Sequence, residues 1–143
     1  MPAGSEVLCD ASVVLKWFHA EGEEEVEASR ALLDLRRSRR LTLSVLDLTA
    51  YELGNALIRG LAIDGERVAS VLAALDLVCP RLTLTLGELT DAAALATAHR
   101  LTMYDAAYAA AAVSRHVQLA TLDRALLEAG LARRPSEIVA ELR

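Results

Sequence analysis

The chain reads as a three-layer α/β domain with a mostly parallel central sheet, and three observations predict it. Short apolar runs alternate with segments of helical periodicity along the whole chain, the order that builds parallel sheets. The runs, such as Val7-Leu8-Cys9 and Leu41 to Val45, show little polar alternation, as strands covered on both faces do. The length of 143 residues suits one domain. A domain of that size buries roughly 70% of its unfolded surface and needs no disulfide or structural metal to fold. Residues 1–143 are therefore read as a single domain.

The elements follow in order. Val7-Leu8-Cys9 is a first strand that ends at Asp10, and Ala11 to Phe18 is a short helix. Glu23 to about Arg37 is a longer amphipathic helix with Ala28, Ala31, Leu32 and Leu35 on one face. Leu41 to Val45 is the second strand. Leu48 to Leu61 is a helix, with Asp47 as its N-cap and Gly60 near its end. Glu66 to Leu77 is another helix, and Pro80 breaks the chain before a third strand at Leu82 to Leu86. Glu88 to His99 and Met103 to Arg115 are helices, Val117 to Ala120 is the fourth strand, and Arg124 to Ala129 is a helix. Two assignments stay open at the end: a short element capped by Ser136, or an edge strand at Ile138-Val139.

Composition narrows the function. A hydrophobic content of 54% excludes a disordered chain. Uncharged stretches such as Ala106 to Ser114 fall well short of the ~20 residues of a membrane span. Glu6 and Asp10 stand where a signal peptide would carry basic residues, so a cytoplasmic location is expected. Cys9 and Cys79, each alone in apolar surroundings, read as buried thiols without a framework role. A net charge of −5 argues against broad non-specific nucleic-acid binding, which rests on Lys and Arg neutralising phosphates. It is compatible with an enzyme whose acidic pocket holds cations.

Four carboxylates stand where such a pocket would form. In open α/β sheets, ligands bind outside the carboxyl ends of the strands, which is also where the following helices begin. Asp10 follows the first strand and Asp123 follows the apolar run Val117 to Leu122. Glu52 lies in the first turns of the helix after strand two, and Asp105 at the start of the helix before strand four. Taken singly, each Asp is explained as well by helix capping. Thr102-x-x-Asp105 resembles a capping box. Glu52 is too deep in its helix to cap, and shares a stripe with Asn55 and Arg59 that a solvated face would also produce. Gathered in one cleft, four such anions are tolerated only if they bind cations or share protons. Mg²⁺ and Mn²⁺ are the hard ions that oxygen ligands suit.

Other residues carry weaker signals. Arg36, Arg37, Arg39 and Arg40 close the second helix, where cations suit the helix dipole and where clustered arginine also suits RNA phosphates. Glu21 to Glu27 holds five acids and reads as a solvated helix start. Lys16, six residues after Asp10, is either a surface lysine or a flexible cation able to neutralise a phosphate. His19, His99 and His116 lack metal-ligand spacing. There is no Gly-rich phosphate loop, no G-x-S-x-G and no H-E-x-x-H. A phosphoacceptor regulatory domain would want paired acids after strand one and a late lysine, whereas the only lysine is Lys16.

Four motifs stand in order over about residues 7 to 130: Leu8-Cys9-Asp10-Ala11-Ser12-Val13-Val14-Leu15-Lys16-Trp17-Phe18, Tyr51-Glu52-Leu53-Gly54-Asn55-Ala56-Leu57, Tyr104-Asp105-Ala106-Ala107-Tyr108 and Ala120-Thr121-Leu122-Asp123. Together they resemble those of VapC-type PIN-domain ribonucleases, toxins of toxin–antitoxin pairs. The resemblance implies the PIN fold, Mg²⁺- or Mn²⁺-dependent endoribonuclease activity, a homodimer and a cognate antitoxin. It makes Asp10, Glu52, Asp105 and Asp123 the metal-site acids, with Asp10 and Asp105 the firmest ligands. Ser12 and Thr121 would steady these acids, and Asn55 would orient the Glu52 side. Trp17, Phe18 and Leu32 would offer an antitoxin segment a groove, and that segment would place an Arg near Asp10 and Asp105. The loop Arg100-Leu101-Thr102 departs from the family pattern by lacking its Gly. The competing reading is a PIN fold kept as a catalytically silent binding module.

Overall fold

The computed structural model describes residues 5–20 and 24–142. Its elements are β1 (Ser5–Cys9), α1 (Ala11–Phe18), α2 (Val26–Arg37), β2 (Leu41–Leu46) and α3 (Asp47–Asn55), which runs into a π-helical turn (Ala56–Gly60). They continue through α4 (Gly65–Val78), β3 (Arg81–Leu82), α5 (Leu86–His99), α6 (Met103–Arg115), β4 (Gln118–Ala120), α7 (Arg124–Glu128) and α8 (Pro135–Leu142). The four strands form one all-parallel sheet in the order β3-β2-β1-β4.

Strand alternation builds the three layers. Val7 and Cys9 of β1 join a cluster with Val13 and Trp17 of α1, Leu32 of α2 and Ile138 of α8. Leu8, between them, faces the other cluster, with the alanines of α6, Ala92 of α5 and Leu126 of α7. Both faces of the sheet are thus covered, which is why its strands read as apolar runs.

Several expectations are corrected. The third strand is two residues long, because Thr85 and Glu88 cap each other: Thr85 Oγ1 accepts from Glu88 N–H at 3.1 Å and Glu88 Oε1 accepts from Thr85 N–H at 2.9 Å. That reciprocal box starts α5 at Leu86, inside the segment expected to be strand. Asp47 does not cap α3. Thr49 Oγ1 accepts the Leu46 N–H, and the Asp47 carboxylate instead takes the Thr83 hydroxyl. The helix expected to run to Leu61 changes to π geometry at Ala56.

The second helix begins at Val26, after Glu25 with φ of 64°; its expected start, Glu23, lies outside the described residues. Ile138 and Val139 are core residues of α8, which opens with Pro135, a residue suited to a first helical turn. Ser136 therefore lies inside that helix and bonds Glu25 rather than capping it. Trp17 and Leu32 do not line a groove. They are 8% and 0% exposed, and the Trp17 indole N–H donates to the Ser29 carbonyl at 2.8 Å, fastening α1 to α2. Cys9 and Cys79 are buried and free.

Candidate active site

Asp10 stands directly after the carboxyl end of β1. Its backbone still belongs to the sheet, with Asp10 N–H donating to the Ala120 carbonyl at 3.2 Å, and its side chain caps α1. Asp10 Oδ1 accepts from Ser12 N–H at 3.1 Å, from Val13 N–H at 3.3 Å and from the Ser12 hydroxyl. Oδ2 accepts from the Thr121 hydroxyl. The same two hydroxyls accept backbone donors from the loop after β4. Leu122 N–H reaches Ser12 Oγ and Asp123 N–H reaches Thr121 Oγ1, both at 2.9 Å. Ser12 and Thr121 thus lock the Asp123 loop to Asp10. Asp123 caps α7 in turn, accepting from Ala125 N–H at 2.8 Å. Capping and site membership are not rivals here, because one turn geometry produces both.

Glu52 enters from α3, half-buried. The Tyr108 hydroxyl of α6 donates to Glu52 Oε1 at 2.7 Å and lies 2.6 Å from Thr49 Oγ1. An ionised Glu52 only accepts, so Thr49 donates to Tyr108 and Tyr108 to Glu52. Asp105 sits in the first turn of α6, where Thr102 Oγ1 accepts its N–H at 3.1 Å. The missing glycine before this motif affects only the turn: Arg100 itself takes the left-handed φ of 56°.

The acids act on one another. Burial pushes the Asp10 carboxyl up, against the bonds from Ser12, Thr121 and Val13, and Asp123 adds to the rise. Burial also raises Glu52, against the Tyr108 bond, with Asp10, Asp105 and Asp123 adding to it. Asp105 is pushed up to about 6 by burial and by Asp123 and Asp10. Burial and the Glu52 charge push the Tyr108 phenol up, so it stays a donor. The four acids therefore lie near enough for their charges to interact, and none forms an ion pair among the described residues. They are not drawn into a tight set: among the described residues, no three Asp, Glu, His or Cys stand together as metal ligands would.

Ser12 and Thr121 both donate hydroxyl hydrogen bonds to Asp10. Asn55 is exposed at the end of α3 and makes no hydrogen bond to Glu52. Tyr108 and Thr49 are supporting residues that sequence reasoning misses. The available signal was spacing: each lies three residues from a site acid, Asp105 and Glu52 respectively, on the same helical face.

A model of the PIN domain matches residues 7–131. Among solved structures, PAE2754 from Pyrobaculum aerophilum is similar at 26% identity and a TM-score of 0.72, over 99% of this chain and 93% of that one. VapC20 of Mycobacterium tuberculosis, a sarcin–ricin-loop-cleaving toxin, aligns at 20% identity and a TM-score of 0.67, over 87% and 95%. A toxin–antitoxin complex from Klebsiella pneumoniae aligns at 16% identity and 0.63, over 90% and 97%. No curated protein shows significant similarity to the chain. No helix among the described residues is long and apolar enough to cross a membrane. With the family model matched across most of its length and an all-parallel α/β sheet at its centre, the chain belongs to the PIN-domain family.

Proposed function

We propose that this PIN domain is a divalent-metal-dependent endoribonuclease and the toxin of a toxin–antitoxin pair. One observation carries the reading. Burial and neighbouring acids raise the proton affinity of Asp10, Glu52 and Asp105, with Asp123 among the neighbours, and none of the four carboxylates has a cation paired to it among the described residues. Such a set fits a hard divalent cation, since every donor is oxygen and no His or Cys competes for a softer metal. Asp10 and Asp105 would hold Mg²⁺ or Mn²⁺ most directly, with Glu52 and Asp123 completing or extending the set. When bound, such an ion activates water and stabilises the leaving oxygen of a phosphodiester.

The chain's own groups prepare that site. Ser12, Thr121 and the α1 backbone fix Asp10 in one rotamer, and Tyr108 fixes Glu52, so little ordering remains when a cation and phosphate arrive. The structural likeness to a toxin that cleaves the sarcin–ricin loop supports RNA as the substrate class. The likeness to a toxin–antitoxin complex supports an antitoxin partner, which would set a basic side chain against the acids. A homodimer and a cytoplasmic location complete the proposal.

The test is cleavage of structured RNA with Mg²⁺, with Mn²⁺, with Zn²⁺ and with chelator. Cleavage should require Mg²⁺ or Mn²⁺, be poorly supported by Zn²⁺, and stop on chelation. Full activity in metal-free buffer would sink the metal assignment. Stabilisation by Mg²⁺ without any cleavage would instead favour a silent binding module.

A further inference from the structure

The densest positive patch lies at the opposite edge of the sheet from the acids. Residues 34–43 hold Arg36, Arg37, Arg39 and Arg40 against one acid, Asp34, in a chain of net charge −5. Helix-end geometry pins them. Arg39 has φ of 63°, its N–H donates to the Arg36 carbonyl at 3.0 Å, and Arg40 N–H donates to the Leu35 carbonyl at 2.9 Å. These are the paired bonds of a Schellman turn, so main-chain donors already satisfy the end of α2.

Capping therefore explains few of the guanidinium donors. Arg36 Nη2 reaches the Leu77 carbonyl at 3.5 Å, and Arg40 meets the Leu142 carbonyl. Arg37 pairs with Asp34 at 3.5 Å with both side chains more than three-quarters exposed, a contact worth little in water. The Arg39 side chain makes no ion pair among the described residues. Arg36, Arg37 and Arg39 together line a groove of about 670 Å³, whose other walls are Leu41, Thr42 and Leu43 at the start of β2 and Val78 and Pro80.

We propose that this groove binds the phosphodiester backbone of RNA at a distance from the acids that cut it. The proposal rests on the ribonuclease reading and adds to it where affinity comes from. The acid cleft repels a polyanion, so a chain of this charge needs a separate positive surface to hold RNA. Guanidinium forks match phosphate oxygens two at a time. β2 connects the two places, with Arg40 just before its first residue and the helix of Glu52 just after its last. Six strand residues at about 3.3 Å each separate them by about 20 Å. At roughly 3.4 Å per stacked nucleotide, a dinucleotide cannot touch both, whereas a hairpin stem can.

The test is fluorescence anisotropy of a labelled RNA hairpin of about ten base pairs, long enough by that spacing, titrated across salt in chelator so that nothing is cut. Arg37→Gln with Arg39→Gln should lose about tenfold in affinity and flatten the salt slope by about 1.8, at ~0.9 per phosphate contact. Arg37→Lys with Arg39→Lys should keep most of the slope. Both residues are exposed, so melting curves should coincide. With Mg²⁺, dinucleotide cleavage should be equal in all three proteins, while hairpin cleavage by the Gln variant shows a raised KM and unchanged kcat. Unchanged hairpin affinity and slope would overturn the proposal. So would unchanged RNA binding beside lost binding of an oligoglutamate peptide, which would make the groove a protein-docking surface. Groove-dependent RNA binding without any cleavage would break only the nuclease reading.

Discussion

Helix α6 carries a carboxylate assembly at each end, and the two are opposites. At its carboxyl end Arg115 grips Glu88, with Nε and Nη2 each 3.0 Å from a carboxylate oxygen, while Thr85 N–H supplies another donor. Glu88 is only 5% exposed, yet these partners push its pKa down to about 2. At the amino end, Asp105 meets Asp123 and Asp10 instead of a cation, and is pushed up to about 6. The helix dipole favours both placements, an acid at the start and an arginine at the end, so the dipole does not separate them. The partner does. Glu88, with a cation built in beside it, is a strut; Asp105, with acids for neighbours and no cation paired to it among the described residues, is where the proposed metal would bind.

The largest effect should come from Asp105→Asn. The change nearly preserves shape but removes one charge from the proposed metal set, and a neutral amide is a poor Mg²⁺ ligand. RNA cleavage should fall by about 100-fold or more, the scale of losing one group that stabilises transition-state charge. The metal-free protein should melt at the same temperature or higher, because a repelling charge has gone. The rise in Tm that Mg²⁺ gives the wild type should shrink. Undiminished cleavage with an undiminished Mg²⁺ shift would show that the two ends of α6 do not differ in kind.

Glu88→Gln should show the reverse pattern. It leaves Arg115 without its charge partner and should cost about 3 kcal/mol in a urea melt, the low end for breaking a buried pair because Arg115 is partly exposed. Cleavage and Mg²⁺ stabilisation, measured well below the melting temperature, should be unchanged. A Glu88→Gln protein as stable as wild type would reduce the pair to a surface contact.

pH sharpens the contrast, because the two ends have opposite signs. Glu88 has its folded pKa lowered from 4.5, so its contribution is complete above about 4.5 and is lost as pH falls through about 2. Asp105 has its folded pKa raised from 3.8, so its contribution is complete below about 3.8 and is lost as pH rises through about 6. In chelator, the stability gap between wild type and Glu88→Gln should close between pH 4.5 and 2 and stay constant from pH 5 to 7. A gap that persists unchanged at pH 2 would mean that the Glu88 charge is not what Arg115 holds.

The same contrast accounts for what is legible in the sequence. α1 and α6 can be read to the residue, since Asp10 and Thr102 are N-caps directly before strongly apolar helices. Three of the four proposed site acids, Asp10, Asp105 and Asp123, are visible because each marks a strand or helix boundary, and parallel topology sends those boundaries to one edge. What is hidden depends on contacts between distant residues. The Thr85–Glu88 box is written in the sequence, but the apolar run Leu82 to Leu86 outweighs it until Arg115, far along the chain, is seen to hold Glu88. The two-residue β3 follows from that. Tyr108 is hidden for the same reason, as its partners Thr49 and Glu52 lie more than fifty residues away.

Tyr108 also provides the smallest and most discriminating test. Its hydroxyl sits between Thr49 and Glu52, so it joins the packing of α6 to the Glu52 carboxylate. Tyr108→Phe keeps the ring, which is 1% exposed, and removes only the hydroxyl. Thr49 Oγ1 still accepts the Leu46 N–H, and half-exposed Glu52 can turn to water. The stability cost should therefore be about 1 kcal/mol, one net hydrogen bond. If Tyr108 is a positioning residue for Glu52, the Mg²⁺ concentration for half-maximal cleavage should rise a few-fold while the rate at saturating Mg²⁺ stays close to wild type. Thr49→Val, one bond further out, should move the same concentration less. A Tyr108→Phe protein that loses as much cleavage at saturating Mg²⁺ as Glu52→Gln would overturn this reading, because a group that only holds a ligand cannot matter as much as the ligand once the metal is in excess.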